Sequence, residues 1–155
     1  MNETVMINAY IVISIIIAAT DILLAVKSFK KNKTTGRFLG FACMGAAIVD
    51  ISYLISIISD SYMCMAAMSS IYFISIDFML VSLLIFTVYF TKGKFSGYGK
   101  WMVAFCFLYC IYELIVFAVN PFMEIAIEYK PRDTLIAKYS YQMKPLYELH
   151  LIFSY

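Results

Sequence analysis

Four long apolar runs constrain this chain more than any other feature. They cover residues 6–26, 38–58, 64–90 and 101–119, and a fifth starts near Leu146. About 20 predominantly apolar residues are enough for a helix to cross the hydrocarbon core of a bilayer. Of the 155 residues, 63% are hydrophobic and only 14% charged. A soluble domain of this size leaves too much surface exposed to hide so much apolar area. The expected fold is therefore an all-α polytopic membrane helix bundle with four complete transmembrane helices and the start of a fifth. The first run is too long for a cleavable signal peptide, and the residues before it carry Glu3 and no positive charge.

Lysine and arginine set the expected orientation. The loop after the first run holds Lys27, Lys30, Lys31, Lys33 and Arg37, and the loop after the third holds Lys92, Lys94 and Lys100. The loop after the second run has only Asp60. Positive loops stay in the cytoplasm, so the N-terminus is expected outside, in a plasma membrane. Residues 120–145 then form an outer segment, divided by Pro121, Pro131 and Pro145, with Glu124, Glu128 and Asp133 among its basic residues. Phe122, Ile125 and Ile127, and Leu135, Ile136 and Tyr139, are expected to lie on the interface as short amphipathic pieces.

Several classes of chemistry lack a basis. A net charge of +2 makes no case for nucleic acid. Cys43, Cys64, Cys106 and Cys110 read as small buried hydrophobes. A single histidine, His150, excludes bis-histidine haem within the chain and lies far in sequence from the cysteines, so no metal site and no cofactor are expected. Nucleophile elbows, phosphate-cradling loops and zinc signatures are missing, and the glycines of GKFSGYGK sit in a short turn. No enzymatic activity and no catalytic residue are expected.

Charge inside the runs is the informative exception, because it costs about 2.5–3.5 kcal/mol on insertion scales. Four acids lie there: Asp21, Asp50, Asp77 and Glu113. At about 1.5 Å rise per residue, Asp50, Asp77 and Glu113 fall about 18, 20 and 18 Å from the cytoplasmic ends of their helices, and Asp21 only about 8 Å. Three carboxyls on three helices thus share a level, with no basic residue or histidine of these spans beside them. Ser52, Ser56, Ser75, Ser82, Tyr53, Tyr109 and Tyr112 are polar neighbours. Two readings stay open: a hydrated cavity for a small ligand, cation or proton, or neutral carboxyls hydrogen-bonding across helices. The residues carried forward for ligand binding or a polar network are Asp50, Asp77, Glu113, Tyr53, Tyr112 and His150. In the second run, Gly36 and Gly40, and Ala42 and Ala46, are spaced for close helix contact. That contact is expected within the chain, although the spacing also allows a homodimer.

The third run and its exit, YFISIDFMLVSLLIFTVYFTKGKF, end in an F-x-x-x-[FY]-[ST]-[GK] pattern at Phe86, Phe90, Thr91 and Lys92. The second, GRFLGFACMGAAIVDISYLISIISDS, has small residues first and an aromatic and acidic half later. The final stretch PLYELHLIFSY places Pro145, His150, Ser154 and Tyr155 in register with Gly-Pro-Trp-Phe-Trp-x-His-x-x-Tyr-Ser-Tyr; Lys144 stands where Gly is usual and Phe153 where Tyr is usual. In these features the chain resembles the N-terminal seven-transmembrane sensor region of bacterial histidine kinases and diguanylate cyclases. The resemblance spans nearly all of residues 1–155. It implies a non-catalytic sensor module in signal transduction, truncated in the fifth helix, with further helices and a cytoplasmic effector as its partners in a full-length protein. His150 then sits at the outer start of helix five as an interfacial residue bonding a tyrosine or a neighbouring helix, and is no phosphoacceptor. The alternatives are a small membrane transporter or proton-coupled carrier using the intramembrane carboxylates, and an assembly protein with no ligand.

Overall fold

A computed structural model describes residues 3–31, 33–132, 134 and 136–154. Asp133, Leu135 and Tyr155, and the side chains of Glu3, Phe153 and Ser154, lie outside the described residues. Four long helices run in sequence: α1 (Glu3–Lys30), α2 (Thr34–Ile58), α3 (Tyr62–Lys92) and α4 (Gly97–Met123). A hairpin of β1 (Ile127–Pro131) and β2 (Tyr139–Met143) follows, then α5 (Pro145–Ser154). With 25 to 31 residues each, the long helices reach about 37 to 47 Å, more than the roughly 30 Å of a hydrocarbon core. All four are apolar enough to cross a membrane. Their outward faces carry Ile13, Ile16, Leu23, Phe105, Leu108 and Ile115, each more than half exposed, and it is lipid that solvates such faces. The chain is a polytopic membrane protein.

Each helix packs on the next in sequence order. The small residues of α2 permit the closest approaches. A Cβ on Gly36 would lie 2.8 Å from the Ser28 carbonyl oxygen of α1, and one on Gly45 3.0 Å from Met79 Cβ of α3. Gly40 abuts the Phe29 ring. Ala42 is buried as well, whereas Ala46 is only partly so. The small-residue spacing therefore serves contacts within the chain. Caps mark the helix ends: Ser61 and Ser96 accept from the backbone N–H three residues on, and Gly93, at φ 69°, closes α3 in the left-handed conformation.

One end of the bundle gathers the α1–α2 and α3–α4 loops with their lysines. The other holds the α2–α3 loop and the hairpin. The outer segment is where the sequence expectation fails: residues 127–131 and 139–143 pair as antiparallel strands instead of lying on the interface as short amphipathic pieces. The register sets Ile127 opposite Met143, Tyr129 opposite Tyr141 and Pro131 opposite Tyr139. Ile127 and Tyr129 point inward and Glu128 and Lys130 outward, the period-two alternation of a half-buried strand. Ile127, expected on the interface, is fully buried, while Phe122 is exposed.

Asn120 fixes the chain reversal into this hairpin. Its Oδ1 accepts from the N–H groups of Ala126 (2.8 Å) and Ile127 (2.9 Å), and its Nδ2 donates to the Ile127 carbonyl (3.2 Å). α4 runs on through Pro121 and ends at Glu124, which takes a left-handed φ of 49°. Further ties dock this segment to the end of α2, the α2–α3 loop and the start of α3: Ala137 N–H to the Ile57 carbonyl at 2.7 Å, Lys138 paired with Asp60, and the Tyr62 hydroxyl donating to Glu124.

Candidate functional site

The core faces of α3, α4 and α5 each present one ionisable residue and one ring, a helical turn apart. On α3 these are Asp77 and Phe73, on α4 Glu113 and Phe117, and on α5 His150 and Tyr147. Helical spacing of three or four residues puts each pair on one face. The strand-like hairpin and the break at Pro145 bring α5 back into the bundle, and this lowers His150 to the level of the acids.

His150 Nδ1 lies 3.0 Å from Glu113 Oε2 and 3.8 Å from Asp77 Oδ2. All three residues are buried, with His150 4%, Asp77 2% and Glu113 1% exposed. Donor atoms of the three fall within 4.8 Å of one another. The other Glu113 oxygen is 2.5 Å from the Tyr109 hydroxyl, which also lies 3.2 Å from the Leu149 carbonyl of α5. So Glu113 is held from both sides. Asp77 is not: among the described residues neither of its carboxylate oxygens has a hydrogen-bond partner. A polar group in that state costs about 1–3 kcal/mol, and more if charged.

Three rings close the cluster on the hairpin side. Phe73 and Phe117 stack at 4.8 Å, and the centroids of Phe73, Phe117 and Tyr147 lie 5.3 to 5.4 Å from that of His150. Beyond this layer opens a cavity of about 560 Å³ between the ends of α2 and α3, the hairpin and α5. Phe73 and Tyr147 belong to its lining, so the rings that cover the cluster also border the cavity. Tyr53, Tyr72, Tyr129, Tyr139 and Tyr141 supply more rings, and Arg132 a cation. Burial pushes the Tyr129 phenol up to about 12.

The sequence candidates are thus divided among four places. Asp77, Glu113 and His150 come together. Tyr53 borders the cavity, 5.5 Å ring to ring from Tyr72. Tyr112 packs beside the core with a buried hydroxyl that has no hydrogen-bond partner among the described residues. Asp50 does not join the other acids: it borders a groove of about 200 Å³ against α1, with Ser14, Ala18 and Ile22. Matching depth did not imply a shared helix face. The expected setting of His150 is corrected too, for it bonds its neighbouring helix deep in the core through Glu113 and not at the interface. Ser52 and Ser56 turn their hydroxyls back to carbonyls of their own helix, Ile48 and Val49 for Ser52 and Tyr53 for Ser56, so they do not solvate the acids.

Phe73, Phe117, Tyr147 and Asn120 were not singled out from sequence. The i,i+4 series Tyr109–Glu113–Phe117 and the i,i+4 pair Phe73–Asp77 carry the signal that could have found the rings.

No family model, no curated protein and no solved structure matches this chain.

Proposed function

We propose that the chain is the membrane-embedded, non-catalytic sensing part of a receptor, and that it takes a small molecule into the tyrosine-lined cavity at the hairpin end. The observation that carries this reading is that Phe73 and Tyr147 line the cavity and also pack on His150. A ligand pressing on these rings would shift α5 against α3 and α4, where His150 joins Glu113. Such a bistable contact is what converts occupancy into helix movement. The lysine-rich end faces the cytoplasm in this reading, which leaves the cavity open to the outside; a cysteine at Lys94 labelled from outside would reverse it.

The polar cluster also invites a second reading, a carrier that moves protons or ions through Asp77, Glu113 and His150. Reconstitution into liposomes separates the two. A receptor leaves an imposed proton or cation gradient intact, at the leak rate of empty vesicles. A flux that saturates with substrate and falls on Asp77→Asn would make the chain a transporter.

A further inference from the structure

We propose that Asp77, Glu113 and His150 form a binding site for one divalent first-row transition ion, with Zn²⁺ the best fit. The inference stands apart from the cavity reading.

Three features carry it. The first is the donor set. One imidazole nitrogen and two carboxylates, each from a different helix, converge with their ligand atoms within 4.8 Å. Two metal–donor bonds of about 2.1 Å at a tetrahedral angle separate the donors by about 3.4 Å. The observed separations of 3.0 and 3.8 Å from His150 Nδ1 bracket that distance. The second is Asp77. Its side chain is 1% exposed, is aimed at the other two, and has no hydrogen-bond partner at either oxygen among the described residues. A bound cation is a partner that satisfies such a group. The third is the surrounding support. Tyr109 holds Glu113 by Oε1 and leaves Oε2 directed at the imidazole. Orientation of a ligating carboxylate by a hydrogen bond on its far oxygen is usual around metal ions. Phe73, Phe117 and Tyr147 fix the plane of the imidazole.

Charge and softness choose the ion. Two carboxylates and a neutral imidazole sum to −2, which a divalent cation cancels in a setting that would penalise any residual charge. Imidazole favours zinc, iron, nickel or copper over magnesium and calcium. Three protein ligands leave a fourth position open. The cysteines are not needed, since nitrogen and oxygen donors already make up the set.

The test uses the purified full chain in detergent, stripped with chelator and titrated with Co²⁺. The expected result is ligand-field absorption that saturates at one equivalent and is displaced by Zn²⁺. His150→Gln and Asp77→Asn should each weaken uptake by more than the roughly ten- to hundredfold seen for loss of a group outside the coordination sphere. Asp50→Asn, outside the cluster, should bind as the parent does. X-ray absorption of the wild-type zinc form decides the matter without any variant: a nitrogen and oxygen shell with imidazole scattering supports the site. A sulfur shell, uptake unchanged in both cluster variants, or no stoichiometric uptake by the wild type would overturn it.

Discussion

His150 Nδ1 sits 3.0 Å from Glu113 Oε2, a contact that joins the short α5 to the middle of α4. With the Tyr109 hydroxyl on the Leu149 carbonyl, it ties the C-terminal helix to the four-helix bundle, and it is buried on both sides. Removing one partner of a buried pair leaves the other uncompensated, at a cost of about 3–5 kcal/mol. Glu113→Leu and His150→Leu should each destabilise the chain by about that amount in unfolding titrations in mixed micelles. The double variant Glu113→Leu/His150→Leu should lose less than the sum of the two single losses. Additive losses would mean that the contact contributes nothing.

Asn120 makes a prediction about the hairpin. Its side chain supplies three hydrogen bonds to Ala126 and Ile127, each worth about 1 kcal/mol, with a further penalty for amides left buried and unpaired. Asn120→Ala should cost about 3 kcal/mol and raise amide exchange through residues 126–143 while leaving α2 protected. Uniform exchange across the chain would show instead that the reversal is not a separate unit.

The helix approaches of α2 can be probed at glycines. A methyl at Gly36 meets a backbone carbonyl at 2.8 Å, which has little room to move, whereas one at Gly97 meets nothing within 4 Å. Gly36→Ala should destabilise by about 1–3 kcal/mol through overpacking. Gly97→Ala should be neutral or slightly stabilising, because alanine is the better helix former. Equal thermal shifts for the two would contradict the close packing of α1 on α2.

Tyr129 gives a pH dependence. Its hydroxyl is buried, and burial raises its pKa from 10.0 to about 12. The folded form therefore keeps its proton where the unfolded chain has lost it. Stability is unaffected by this group below pH 10, falls between about pH 10 and 12, and levels off above. Tyr129→Phe should remove that part of the alkaline slope, measured as the difference from wild type, and an unchanged slope would contradict the buried setting of this phenol.

Much of this architecture was legible beforehand, and the reason lies in lipid. Residues 6–26, 38–58, 64–90 and 101–119 all fall inside observed helices, because hydrocarbon forces long apolar runs to satisfy their own backbone. The hairpin was not anticipated, although Ile127–Glu128–Tyr129–Lys130 carries a period-two alternation. Short strands depend on partners far away in sequence, and Pro131 obscured the pattern. For the site, depth along each helix correctly grouped Asp77 with Glu113. It wrongly added Asp50, which faces α1, since depth fixes height and not direction. His150 stands among the sequence candidates and bonds a neighbouring helix as expected, but not at the expected level: its height depends on how the segment between α4 and α5 folds back, and no helical periodicity encodes that.

Ligand binding to the purified chain tests the central proposal most directly, through melting curves in detergent across a panel of small aromatic carboxylates. Rings from Tyr72 and Tyr139 and the cation of Arg132 favour that chemistry. The expected result is at least one compound that raises the melting temperature of the wild type in a saturable way and loses the effect in Tyr72→Ala and Arg132→Gln. No shift with any compound, or equal shifts in the wild type and both variants, would contradict the cavity as the sensing site.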